Sequence, residues 1–211
     1  MLLVLQNLEH QHIHLLIHKQ YQAIIVVYKN KKMGRLLQNI QINPYDNQDF
    51  KINYLESGEV QIFFKNLGSV FPDTLNSYTD NDYFIYGYSK QLVGVTNKNI
   101  LFLGLGLGLM PLFLQNTNNN IAIIEKDQNL ISIITSYGYL ANNVNIYQGD
   151  IFDMRLELTL TNAFDYIVSD IHYSCDNTYY LEKNLIIDNY KDNLTTNGII
   201  YFPVENFIYN K

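Results

Sequence analysis

Residues 99–108, Asn99-Ile100-Leu101-Phe102-Leu103-Gly104-Leu105-Gly106-Leu107-Gly108, join a short apolar run to three alternating glycines. The run reads as a buried strand. The glycines mark a place where the chain turns at once toward a helix and brings bare backbone against a ligand. Ile123-Ile124-Glu125 follows, so an acid closes the next strand roughly twenty residues on, where a carboxylate can accept from both hydroxyls of a ribose. Gln148-Gly149-Asp150 then closes a third strand with a second acid, whose oxygens can accept from an adenine amino group. The dinucleotide form of this turn needs a further glycine at position 109, and Leu109 stands there, which points away from NAD. Gly104, Gly106, Gly108, Glu125 and Asp150 are thus the candidate nucleoside-binding residues. The bland alternative is a tight strand-to-helix turn with two solvated acids; three features in order at consecutive strand ends favour the ligand.

Working outward, short apolar runs alternate with helical stretches, the mark of βαβ units around a parallel sheet. Strands are expected at Asn99 to Leu103, Ile121 to Glu125, Val144 to Tyr147, Tyr166 to Asp170 and Gly198 to Phe202. Helices are expected at Leu109 to Gln115, Gln128 to Tyr139 and Thr178 to Leu194, the last repeating apolar residues at Leu181, Leu185, Ile186 and Tyr190. Before residue 80 there is little helical period, and Ala23 to Tyr28 and Gln61 to Phe64 read as strands. The expected organisation is a β-rich N-terminal region, 1–76, and a Rossmann-like α/β domain, 77–211, joined near Ser77 to Gln91.

The 211 residues are enough for one full domain with a sizeable core. A single cysteine, Cys175, excludes a disulfide framework and makes a reducing, cytoplasmic setting the expectation. The net charge of -6 argues against a dedicated nucleic-acid binder. No apolar run reaches the roughly 18 residues of a membrane span, because His18, Lys19 and Gln20 break the longest one. Met1 to Leu5 lacks the basic start of a signal peptide. The expected partner is a small-molecule or protein acceptor, with no membrane and with a homo-oligomer left open. His10, His12 and His14 alternate on one strand face, but no carboxylate or cysteine completes a metal set, so no metal is expected. Lys29, Lys31, Lys32 and Arg35 read as a solvated turn. Asn116 to Asn120 belongs to the chain's general asparagine richness and carries no functional signal.

The ordered trio resembles class I S-adenosylmethionine-dependent methyltransferases, and more narrowly their spermidine synthase-like branch. The narrower likeness rests on Gln20-Tyr21-Gln22-Ala23-Ile24, Gly34-Arg35-Leu36-Leu37 and Thr79 to Tyr86. It implies S-adenosylmethionine, or its decarboxylated form, as cofactor, with Gln22 beside Glu125 and Asp150 as contacts. Two departures stand out. The family's aminopropyltransferases carry an acid inside the glycine turn, where this chain has Leu105 and Leu107; they carry a second acid after the fourth strand, where it has Tyr173. Methyl transfer is therefore expected ahead of the polyamine aminopropyltransferase (spermidine synthase) reaction, with a non-catalytic nucleoside-binding protein as a further alternative. A sulfonium cofactor already makes its carbon electrophilic, so the protein has mainly to align a nucleophile and take its proton. Asp170 and His172 are the catalytic candidates for that task. With 18 tyrosines present, Tyr173 and Tyr180 carry little weight as pocket residues, and Cys175 is read as a free thiol. The fold's last strands are expected to be absent or displaced.

Overall fold

Five parallel strands with an antiparallel one at the margin form the main sheet of the computed structural model. It describes residues 42–54, 60–65, 76–78, 90–153, 163–169, 171, 179–203 and 206–211. These all lie in one unit, Leu36–Lys211. A four-stranded antiparallel sheet comes first, in the order β1 (Tyr45–Asp46), β2 (Phe50–Tyr54), β3 (Val60–Phe64), β4 (Asn76–Tyr78). The main sheet follows, built from β5 (Asn99–Leu103), α1 (Leu109–Leu114), β6 (Asn120–Glu125), α2 (Gln128–Ser136), β7 (Val144–Gln148), β8 (Phe164–Ser169), α3 (Tyr179–Tyr190), β9 (Leu194–Phe202) and β10 (Phe207–Asn210). Its order is β10-β9-β8-β5-β6-β7. The chain starts in the middle at β5, runs outward through β6 and β7, then crosses back to β8. β5 is therefore the switch point, with parallel partners on both sides. This is a Rossmann-like α/β fold, as expected.

β5 shows why the sheet is buried on both faces. Ile100 and Phe102 enter one core cluster, and Leu101 and Leu103 enter the other; each is at most 1% exposed. The first cluster lies under α1 and α2 and extends to Ile52 and Ile62 of the small sheet, both fully buried. Burying an isoleucine contributes about 1.5 to 3 kcal/mol, so the small sheet is part of this core rather than an appendage. The second cluster contains Ile186 and Tyr190 of α3.

Element ends differ from expectation for identifiable reasons. α2 stops at Ser136, short of Tyr139, because Gly138 takes the left-handed conformation (φ 69°) just past its end. Its start is set by Asp127, whose carboxylate accepts from Asn129 N at 2.8 Å and Leu130 N at 3.2 Å, a cap worth about 1 kcal/mol. α3 ends at Tyr190, and β9 begins at Leu194 rather than Gly198. The register with β8 jumps from Phe164↔Leu194 to Tyr166↔Ile199. The turn-like Thr195-Thr196-Asn197 is thus absorbed as a bulge inside the strand. A side chain at Gly198 would bring its Cβ within 2.7 Å of the Phe164 carbonyl. β10 stands where the last strands were expected to be absent or displaced; it pairs antiparallel with β9 from Phe207↔Phe202 to Asn210↔Ile199. In α3 the apolar spacing holds at Ile186 and Tyr190, while Leu185 is 46% exposed.

Candidate functional site

The carboxyl ends of β5, β6 and β7 lie side by side at one edge of the sheet, with Leu103 beside Ile124 and Glu125 beside Gln148. The glycine turn leaves β5 at this edge. Gly104, Gly106 and Gly108 have φ of 98°, 52° and 68°. That backbone is disfavoured for most residues with a Cβ, asparagine and aspartate being the usual exceptions, so the glycines suit the turn's shape. Burial alternates along it: Gly104 and Gly106 are accessible, whereas Leu105 and Leu107 are 3% and 1% exposed. The leucines point into the core and anchor the turn; Gly104 and Gly106 leave its backbone accessible, while Gly108 is buried.

The turn's own polar groups are largely used. Gly104 N donates to Ile124 O at 2.9 Å and Gly108 N to Leu105 O at 2.8 Å. Leu105 N donates to Glu125 Oε2 at 2.9 Å. Among the described residues no acceptor meets Gly106 N or Leu107 N. Of these two, Gly106 is accessible and Leu107 is buried, so Gly106 N is the donor that remains for a ligand.

Glu125 is half-buried at the end of β6. Besides Leu105 N, its carboxylate accepts from Asp127 N at 2.8 Å. It therefore ties the glycine turn to the start of α2 and still has lone pairs for hydroxyl donors. Burial pushes its pKa up, and the backbone hydrogen bonds from Asp127, Leu105 and Lys126 only partly oppose this. Asp150, after β7, is also engaged: Oδ2 accepts from Lys126 Nζ at 2.7 Å and Oδ1 from Phe152 N at 3.0 Å. The bond to Lys126 holds its pKa below the usual carboxylate value.

The structure thus brings together five of the candidate residues: Gly104, Gly106, Gly108, Glu125 and Asp150. Gln22, Asp170 and His172 lie outside the described residues, as do Tyr173, Cys175, the side chain of Tyr180, the alternating histidines, the Lys29 to Arg35 cluster, the Ala23 to Tyr28 strand and the three stretches behind the spermidine synthase-like resemblance. β8 ends at Ser169, whose register partner is Leu103, so the chain leaves β8 beside the glycine turn. Among the described residues no histidine, cysteine and acid group forms a metal cluster. None of their helices is long and apolar enough to cross a membrane.

Sequence reasoning missed Lys126 as the partner of Asp150 and Tyr139 as a buried donor to the turn. The charge alternation in Glu125-Lys126-Asp127 was available as a signal for the first. Nothing local in Tyr139 signals its partner, which lies 32 residues away.

No protein-family model matches the sequence. Among curated proteins, the ribosomal RNA small subunit methyltransferase A of Listeria welshimeri is 22% identical over 145 residues, covering 68% of this chain and 49% of that protein. The chain therefore spans about half the length of that relative. Among solved structures, fibrillarin of Aeropyrum pernix with bound S-adenosyl-L-methionine aligns at a TM-score of 0.46 and 15% identity, over 77% of this chain and 78% of that one. Human methyltransferase-like protein 13 in complex with SAH aligns at 0.43 and 20% identity, over 54% and 56%. A TehB-like SAM-dependent methyltransferase of Corynebacterium glutamicum aligns at 0.41 and 18% identity, over 56% and 61%.

Proposed function

We propose that this chain is an S-adenosylmethionine-dependent methyltransferase that holds its cofactor across the carboxyl ends of β5, β6 and β7. The observation that carries the reading is the order of groups at that edge: outward backbone of a glycine turn, then Glu125, then Asp150. In open α/β sheets ligands bind outside the carboxyl ends of strands at the switch point, and β5 is that point. The residues fit a nucleoside with a charged amino-acid tail. Gly106 N donates to the tail carboxylate, Glu125 accepts from the ribose hydroxyls and Asp150 from the adenine amino group. Gln22 is added as a contact by the family resemblance.

The cofactor, when bound, supplies a methyl carbon made electrophilic by the sulfonium. Asp170 and His172 are proposed as the groups that orient the acceptor and take its proton, because they follow in sequence the end of β8, which lies beside the start of the glycine turn. Leu105 and Leu107 are turned into the core, so neither offers the tail's ammonium group a counter-charge. Both cofactor forms carry that ammonium, and only the intact form adds a carboxylate for Gly106 N to meet, which favours intact S-adenosylmethionine over the decarboxylated form, and methyl over aminopropyl transfer. In this reading residues 77–211 carry the cofactor contacts other than Gln22, 1–76 form the β-rich part, whose last described strand runs on to Tyr78, and the protein works in the cytoplasm. The net charge of -6 favours a small-molecule or protein acceptor; the curated relative's name puts RNA on the test panel as well.

The test is transfer of labelled methyl from S-adenosylmethionine to fractions of small molecules, proteins and RNA. Label in one fraction that is lost in Asp170→Asn supports the reading. Cofactor that binds but is never consumed would make the chain a nucleoside-binding protein instead.

A further inference from the structure

Two buried tyrosines reach the strand-end loops from other elements. Tyr139, in the link between α2 and β7, is 8% exposed and donates its hydroxyl to Leu107 O inside the glycine turn. Tyr190, the last residue of α3, is 2% exposed and donates to Ile151 O at 2.7 Å, in the turn that Asp150 opens. Tyr139 is itself braced: its ring stacks on Tyr137 at 6.2 Å, and the Tyr137 hydroxyl donates to Asn43 O at 2.8 Å. Burial raises the pKa of both phenols, which keeps them protonated donors.

The Leu107 carbonyl needs such a hold. It lies between Gly106 and Gly108, the two residues least able to fix a peptide plane by their own sterics. With Glu125 holding Leu105 N on the other side of Gly106, the backbone of the turn is clamped at both flanks while Gly106 N stays outward. A site held in its binding shape before the ligand arrives loses less entropy on binding.

We propose that Tyr139 and Tyr190 are positioning residues, fixing the main chain of the glycine turn and of the Asp150 turn in the shape that receives the cofactor; this rests on the cofactor site proposed above. The experiment compares Tyr139→Phe, Tyr190→Phe and Asn119→Ala by amide hydrogen exchange and by calorimetric titration with S-adenosylhomocysteine well below melting. Asn119, 1% exposed at the opposite edge of the sheet, is the control for general destabilisation. Tyr139→Phe should speed exchange about tenfold across residues 104–109, and Tyr190→Phe across 150–153, with cofactor Kd raised about five- to tenfold in each. Asn119→Ala should lower the melting temperature and leave both turns and Kd unchanged. Exchange in the two turns that rises no more than in Asn119→Ala overturns the proposal, as does an unchanged Kd in variants of a wild type that binds. A wild type that binds no adenosyl ligand refutes the cofactor reading, and the exchange data then decide the positioning role by themselves.

Discussion

The two edges of the main sheet use similar residues for opposite ends. At the amino edge, Asn97 and Asn118 adopt left-handed backbone at φ 56°, much as the glycines do at the carboxyl edge. There the polar groups turn on one another. Asn119 accepts from Lys98 N at 2.9 Å and donates to Val95 O at 3.1 Å, Leu114 O at 3.3 Å and Thr117 Oγ1 at 2.6 Å. Asp165 accepts from Lys98 Nζ at 3.1 Å and Asn99 N at 3.0 Å, and Asn120 donates to Asn99 at 2.9 Å. A depression of about 340 Å³ lies beside Lys98 and Asp165 of this network and is otherwise lined by Tyr166, Thr195, Thr196, Asn197 and Ile199. At the carboxyl edge the same kinds of groups leave Gly106 N without an acceptor at an accessible residue and the Glu125 carboxylate half-buried with lone pairs to spare. Polarity and positive φ therefore do not distinguish a ligand site from a structural knot; unspent hydrogen-bonding capacity does.

The widest separation between the edges is expected from Gly106→Val. At φ 52° a β-branched side chain is strained and projects where the backbone meets the ligand. Cofactor binding should be lost while circular dichroism stays near wild type; normal binding would reduce the turn to a structural feature. Glu125→Ala should cost about 2 to 4 kcal/mol of cofactor affinity, from two charge-assisted bonds partly replaced by water. Because Glu125 also holds Leu105 N and Asp127 N, this variant should lose thermal stability too, whereas Glu125→Gln, which keeps an acceptor oxygen, should lose less of both. Asn119→Ala is the mirror image: leaving buried partners unpaired costs about 1 to 3 kcal/mol of stability, with cofactor Kd unchanged. A change in Kd there would break the contrast between the edges.

Smaller effects sharpen it. Burial raises the pKa of Glu125 above 4.5 in the folded chain, so acidification protonates it before a free glutamate and removes an acceptor. Titrations across pH should show cofactor affinity falling already above pH 4.5, a fall absent in Glu125→Gln. The same shift means the folded state binds this proton more tightly than the unfolded chain, so Glu125 favours folding at low pH and loses that contribution as pH rises through its raised pKa. Asp150 has the opposite sign: its lowered pKa contributes stability above 3.8 that is lost on further acidification. Lys126→Ala removes an ion pair whose lysine is 77% exposed, and the change in melting midpoint should correspond to under about 1 kcal/mol.

The sheet was legible because its strands are short apolar runs closed by glycine or an acid, a pattern that Asn99 to Gly108 shows without help from the rest of the chain. The strand-end trio was legible for the same reason, since each member follows its strand in sequence. β9 was misjudged at its start because Thr-Thr-Asn-Gly is turn chemistry locally, and only pairing with Phe164 makes it strand. The asparagine tract looked uninformative, yet Asn119 is a fully used core residue; its partners lie up to 24 residues away, beyond any local pattern. Tyr139 and Tyr190 were hidden among 18 tyrosines for the same reason.

Calorimetric titration of the intact chain with S-adenosylmethionine, its decarboxylated form and NAD, in one buffer, tests the account at its centre. It predicts saturable 1:1 binding of S-adenosylmethionine, at least about tenfold tighter than either competitor, from one or more charge-assisted bonds of roughly 1.5 to 3 kcal/mol to the carboxylate at 1.4 kcal/mol per decade. Tighter binding of the decarboxylated form would contradict methyl transfer, and no binding of any adenosyl ligand would contradict the assignment of the carboxyl edge itself.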